Sequence, residues 1–330
     1  MLNKFLNTIL AMTILFPIIS CEQAETALSP PTPGNVNTVQ ITIGYPYINQ
    51  VYYNCKENKV ISTNTKYNWD LAFYSNKNTN PNSNDSTCIV KLNYAKGMLA
   101  SNLENYEITD NIEIKDINWQ WDNSNGDLNQ TVINTQNTYI INRQYDENSN
   151  HLGYYLFKVI EINNNIIKVK FRNTTNEQLF ISEIILNENK NFTHFSFNNN
   201  GTTIEIEPYK NTWDLLFTNY QHKFDNLPLP FVITGCMINR YAGVTIAEDT
   251  LNTFDNIQLS DTINYSFISD YDVIGYDWKV RNSSDNSFKI DTTIKYIIRN
   301  NEGLFFKLRF IDFYNSQGEK GYPKFEIQKL

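Results

Sequence analysis

No clustered run of Lys or Arg occurs in the 330 residues, and the formal net charge is −8. A phosphate backbone is held by a basic stripe or patch that displaces its counterions, so nucleic acid is not an expected partner. Catalytic signatures are missing too. The chain has no nucleophile elbow, no Walker loop and no His-Glu-x-x-His, and the chemistries those motifs serve are unsupported. Folding can still bring distant carboxylates together as an acid–base pair, so their absence as a motif excludes less. Histidine is limited to 3 residues and cysteine to 4. No Cys-x-x-Cys pair exists, which leaves structural zinc and dithiol redox chemistry without ligands. Beyond the first twenty or so residues, no segment sustains a 3.6-residue apolar period, which argues against a helical bundle.

What is present is strand and turn chemistry. Tyr and Phe number 21 and 20, and Asn is abundant while Ala and Leu are few, a composition suited to pleated surfaces and tight turns. The length favours more than one domain, since single cores stop growing near about 250 residues.

The N-terminus reads as an address. Lys4 precedes the apolar run Phe5 to Ser20. At about 15 residues this run is short for a bilayer, which takes about 20, and fits a secretory signal. It ends in Ile18-Ile19-Ser20-Cys21, which resembles a bacterial lipobox. The resemblance implies a signal peptide over 1–21 and acylation of Cys21, the chain's link to membrane lipid. Several acyl chains give stable anchoring where one is marginal. Glu22 after that cysteine is compatible with transport to the outer membrane. The polar, Pro-rich stretch 22–38 reads as an extended tether. Export allows one disulfide. Cys55 and Cys88 flank one strand and are the candidate pair, with buried free thiols the open alternative.

Tyr67 to Asn76, YNWDLAFYSN, is echoed by NTWDLLFTNY at Asn211 to Tyr220. Other landmarks recur in the same order. LNYAKGM at Leu92 is answered by INRYAGV at Ile238, DNIEI at Asp110 by DNIQL at Asp255, and TYIINR at Thr138 by KYIIRN at Lys295. Two copies of one unit follow, over 39–172 and 177–330. Alternation in Trp69, Leu71, Phe73 and in Trp213, Leu215, Phe217 predicts half-buried strands. Asp70 and Asp214, on the opposite face, are expected to cap or pair within their own units. The fold class is all-β: two tandem antiparallel domains, sandwich-like.

The WDLAF strand at Trp69 and the closing hairpin from Leu304 to Gln328 resemble those of the HmuY-like family of exported lipoproteins, once per unit. The resemblance implies a surface-anchored, ligand-binding protein, not an enzyme, with haem as the cofactor that its best-known members capture. Haem needs axial donors. The family's pair of histidines is not reproduced: His151, His194 and His222 fall in different intervals. His222 and Met237 are the candidate haem ligands that remain, with Met98 at the matching place in the first unit. The rival reading is a structural or adhesive module that presents a protein-binding β face. No metal site other than haem iron is expected.

Overall fold

The computed structural model describes residues 32–75, 88–134 and 136–330. The expected signal peptide, Cys21 and the tether up to residue 31 lie outside the described residues. The chain begins with β1 (Asn37–Gln40), β2 (Asn49–Asn54) and β3 (Lys59–Thr65). Next come β4 (Leu71–Tyr74), β5 (Val90–Leu92) and β6 (Leu99–Leu103). A closing meander follows, of β7 (Thr138–Asn142), β8 (Tyr154–Asn163) and β9 (Ile166–Asn173). The same succession then repeats as β10 (Phe180–Ile185), β11 (Phe192–Ser196) and β12 (Thr202–Ile204). It continues with β13 (Leu215–His222), β14 (Phe231–Ile238) and β15 (Thr245–Asp249). A small hairpin, β16 (Lys279–Arg281) with β17 (Phe288–Ile290), is inserted before the last meander. That meander is β18 (Lys295–Arg299), β19 (Phe305–Tyr314) and β20 (Lys320–Lys329).

The protein is all-β, as the composition requires, and its large sheets form two sandwiches. In the first, a sheet ordered β10-β9-β8-β7-β6 packs on one ordered β12-β11-β4-β5. In the second, β1-β20-β19-β18-β15 packs on β14-β13-β2-β3. The orders correspond strand for strand. Leu71 and Phe73 meet Phe157 and Phe171 inside the first sandwich. Leu215 and Phe217 meet Phe310 and Phe325 inside the second. Fully buried aromatic side chains of this kind contribute about 1.5–3 kcal/mol each. Trp278 stacks face to face on Phe310 with centroids 3.9 Å apart.

Sheet partnership crosses the sequence boundary between 172 and 177. β2, with β3 on its outer side, pairs with β13 and not with β4, and β11, with β12 on its outer side, pairs with β4. β1 pairs with β20 while β10 pairs with β9. Each segment of the chain therefore lends its first three strands to the sandwich built from the other segment's later strands.

The turn between β11 and β12 runs through Asn199, Asn200 and Gly201, all at positive φ, a conformation that Asn and Gly tolerate best. A Cβ on Gly201 would lie 2.6 Å from Ser182 Oγ, so glycine is required by space as well as by conformation. The stretch expected as tether is already fastened at its end. Gly34 N donates to Lys329 O at 2.9 Å, and Gln328 Nε2 donates to Gly34 O at 2.7 Å.

The Cys55–Cys88 bridge is not formed. Both thiols are free and buried, as is Cys236, and they sit in different sandwiches: Cys55 in the second core, Cys88 in the first. The strand exchange separates them, because Cys55 follows β2 and goes with it to β13. No helix among the described residues is long and apolar enough to cross a membrane.

Candidate functional site

The alternating strands expected to be half-buried are buried on both faces. Ala72 and Leu216 are 3% and 0% exposed, because the outer faces of the two four-stranded sheets lie against each other. Trp69 and Trp213 belong to this seam and not to the sandwich cores. The cause is local. Residues 66–68 form a turn of 3₁₀ helix and β4 begins only at Leu71, so the tryptophan precedes the alternation that the sequence seemed to show. Tyr94 and Tyr241 pack against both halves of the seam.

In this seam lies a small chamber of about 10 Å³, room for one water molecule. Ala72, Lys91, Phe192 and His194 line it from the first sandwich, and Tyr52 and Trp213 from the second. Lys91 Nζ faces the rings of Tyr271, Tyr94, Phe192 and Tyr241 at 4.7, 5.4, 5.6 and 5.7 Å. It donates to Tyr241 Oη at 3.4 Å. Such a ring cage offsets part of the cost of burying an ammonium. Burial nonetheless pulls the Lys91 amine down to about 8. Glu207 Oε2 accepts from Phe192 N at 2.9 Å and Oε1 from Asn191 Nδ2 at 2.6 Å. Burial pushes its carboxyl up to about 7. Burial, reinforced by Lys190, pulls His194 down to about 3, so its imidazole is neutral at physiological pH, edge-on to Trp69 at 4.7 Å.

Glu207 also lines an open groove of about 720 Å³, between β3 and the connection from β12 to β13. Its walls mix Ile61, Ile206, Pro208 and Tyr209 with Lys59 and Lys190. A second groove of about 340 Å³ shares Asn187, Lys190 and Glu205 with the first, and His194 lies in its wall. The exposed carboxylate of Glu205 pairs with Lys190 between them.

The sequence candidates for haem ligation are not brought together. In the β13–β14 ladder Leu216 pairs with Met237, whereas His222 pairs with Phe231. Six residues of strand therefore separate His222 from Met237, about 20 Å at 3.4 Å per residue. They cannot occupy opposite sides of one iron. Met237 is 1% exposed among Tyr52, Trp213, Leu216 and Tyr220, a core position, and Met98 is equally buried in the first sandwich. His222 is half-buried against Phe224 and Tyr276, with Asp272 Oδ2 3.9 Å from its Nδ1. His151 is exposed and bonds Asn142 Oδ1 at 3.0 Å. Neither His222 nor Met237 lines the chamber or either groove. No cluster of His, Cys, Asp and Glu among the described residues is arranged to hold a metal ion.

Lys91 and Glu207 were not singled out from sequence. The repeat carries the missed signal for the first. β5 and β14 are equivalent, and Lys91 stands where the second copy has Met237, in VKLN against CMIN.

No family model and no curated protein matches the chain. Among solved structures, it is similar to the apo HmuY analogue of Tannerella forsythia, at 9% identity and a TM-score of 0.24, over 91% of this chain and 98% of that one. It is also similar to apo PinO from Porphyromonas gingivitis, at 9% identity and a TM-score of 0.25, over 90% and 97%.

Proposed function

We propose that the chain is an exported lipoprotein, acylated at Cys21 and held at the outer membrane, whose folded part captures a small amphipathic ligand in the groove beside β3. The reading also takes the chain as two copies of one unit, 39–172 and 177–330, with their N-terminal strands exchanged. The observation that carries the binding role is the groove itself. Its volume of about 720 Å³ and its mixed lining match small-molecule sites, which run about 300–1,000 Å³ and favour junctions between domains. Among the described residues Lys59 pairs with exposed Glu57, at 2.5 Å, and Lys190 with exposed Glu205. The exposed pair at Lys59 is worth about 0–1 kcal/mol, so a ligand carboxylate can replace Glu57 there.

Haem is the ligand that the family resemblance implies. This groove offers neither imidazole nor sulfur, so a tetrapyrrole would be gripped by its ring and carboxylates and not by an axial pair. Residues 22–330, the mature chain without its acylated Cys21, are titrated with haemin and with iron-free protoporphyrin, following the Soret band. Both are expected to bind, and Lys59→Glu with Lys190→Glu to weaken each about tenfold. Two flat titrations would remove tetrapyrroles from the reading.

The rival adhesive role rests on Ile181 and Ile185, 61% and 62% exposed on the edge strand β10. Edges of this kind invite strand addition. Ile181→Lys with Ile185→Lys would abolish cell-surface adhesion on that reading and leave ligand titrations unchanged on the first.

A further inference from the structure

Trp69 Nε1 donates to Gln50 Oε1 at 2.7 Å, and Gln50 Nε2 in turn donates to Thr218 Oγ1 at 3.1 Å. Gln50 stands on β2, in the second sandwich, so this bond crosses the seam. The equivalent of Trp69 is Trp213. The ladders fix the equivalent of Gln50: β4–β11 pairs Leu71 with Phe195 and β13–β2 pairs Leu215 with Tyr53. Counting back along both strands sets Phe192 opposite Gln50. A phenyl ring cannot accept an indole N–H as an amide does.

Trp213 Nε1 accordingly has no hydrogen-bond partner among the described residues, although the side chain is 2% exposed. Asn191 Oδ1, on a residue that is 0% exposed, has none either. Buried donors and acceptors are paired in more than nine cases in ten, with ordered water as the usual partner where protein supplies none. Both of these residues line the chamber, and so do Lys91 and Glu207.

We propose that the chamber is a binding site for one ordered water molecule, which accepts the Trp213 Nε1 hydrogen and donates to Asn191 Oδ1. It takes the place that the Gln50 amide fills at Trp69. The lining sets the ligand class. One indole donor and one amide acceptor call for a molecule that both accepts and donates, and about 10 Å³ admits a single centre of that size. An apolar occupant would leave both groups unpaired, and a halide would leave Asn191 Oδ1 so. Because Phe192, Asn191 and Lys91 belong to one sandwich and Trp213 to the other, the water ties the two together across the seam.

The test is made on the mature chain with ¹⁵N-labelled tryptophan. The Trp213 indole hydrogen is expected to show a cross-relaxation peak to a water whose residence time exceeds a nanosecond, while the Trp69 indole hydrogen shows none. Phe192→Gln supplies the amide and is expected to abolish the Trp213 peak. A crystal structure of the wild-type chain reads the same point directly: one density peak within about 2.7–3.2 Å of both Trp213 Nε1 and Asn191 Oδ1. No cross-relaxation peak in the wild type, or a chamber filled by a protein side chain in the crystal, overturns the proposal. The wild-type measurements decide it even where Phe192→Gln fails to fold.

Discussion

Arg143 grips Asp70 through two bonds, Nε to Oδ1 at 3.1 Å and Nη2 to Oδ2 at 2.9 Å, while Lys96 Nζ meets Oδ1 at 2.5 Å. Ser196 Oγ and Phe197 N also donate to Oδ2, at 3.2 and 2.8 Å. Burial alone would raise this carboxyl, but Lys96 and Arg143 hold it below the usual carboxylate range. The repeated aspartate therefore pairs, as expected, but partly with residues of the other sequence segment. Asp214 occupies the same place and accepts from Cys55 N at 2.7 Å. Its cations are gone, because Ala242 and Asn300 stand where the first copy has Lys96 and Arg143.

Asparagine at the two positions should accordingly behave differently. Asp70→Asn leaves two buried cations short of a partner, and a loss of about 3–5 kcal/mol is expected. Asp214→Asn keeps the acceptor for Cys55 N and should cost under about 1 kcal/mol at pH 4, where the folded chain holds that carboxyl protonated. Burial pushes Asp214 up to about 6 from 3.8, so the folded chain holds that proton more tightly than the unfolded chain. Its stabilising effect is full below about pH 4 and is lost as the pH rises through 6. The Tm of Asp214→Asn relative to the natural chain should thus climb between pH 4 and 7. A flat difference across that window would refute the assignment.

Lys91 gives the opposite sign. Its amine is drawn down to about 8 from 10.5, so the folded chain binds that proton less tightly than the unfolded one. The cost is full below about pH 8 and fades as the pH rises toward 10.5. Lys91→Met copies Met237 of the other unit and should raise stability at pH 7 by about 2 kcal/mol. The gain should shrink between pH 8 and 10.5. Urea midpoints measured at pH 7 and pH 10 check both statements, and a variant less stable at pH 7 would show that the ring cage outweighs burial.

The strands were legible because Leu71 with Phe73 and Leu215 with Phe217 alternate as a core face must. Their partners were not. Two copies of one pattern satisfy β4 equally well with β2 or with β11, since both present the same alternation, and only packing chooses. That one ambiguity explains the misplaced cysteine pair. It also hid the seam, because a face that reads as solvent-exposed within one copy is covered by the other. His222 and Met237 looked close on a linear map. The register of a single ladder separates them by the length of a strand. Lys91 is a lone lysine in an apolar strand, and such residues usually signal a solvated face; its ring cage is assembled from residues as distant as Tyr271.

The three cysteines of the folded part should be inert and unpaired. Burial pushes the Cys88 thiol up to about 12 and raises those of Cys55 and Cys236 as well, and only thiolates react readily. A chromogenic thiol reagent is expected to find no group in the native mature chain. Guanidinium without reductant should release all three. A count of one in the unfolded chain would restore a disulfide.

The exchange of strands makes each sandwich incomplete without the other segment, and this bears on cooperativity. β13 lies between β14 and β2, and β4 between β5 and β11. Melting of either sandwich frees strands whose covalent neighbours are central to the other. One calorimetric transition is expected for residues 22–330, with calorimetric and van't Hoff enthalpies in agreement. Leu71→Ala and Leu215→Ala, both at 0% exposure but in different cores, should each cost about 2–5 kcal/mol. Both should lower that same transition. Two domains folded independently along the sequence boundary would instead give two transitions, with each substitution moving only one. That outcome would mean that the shared sheets contribute little to holding the sandwiches together.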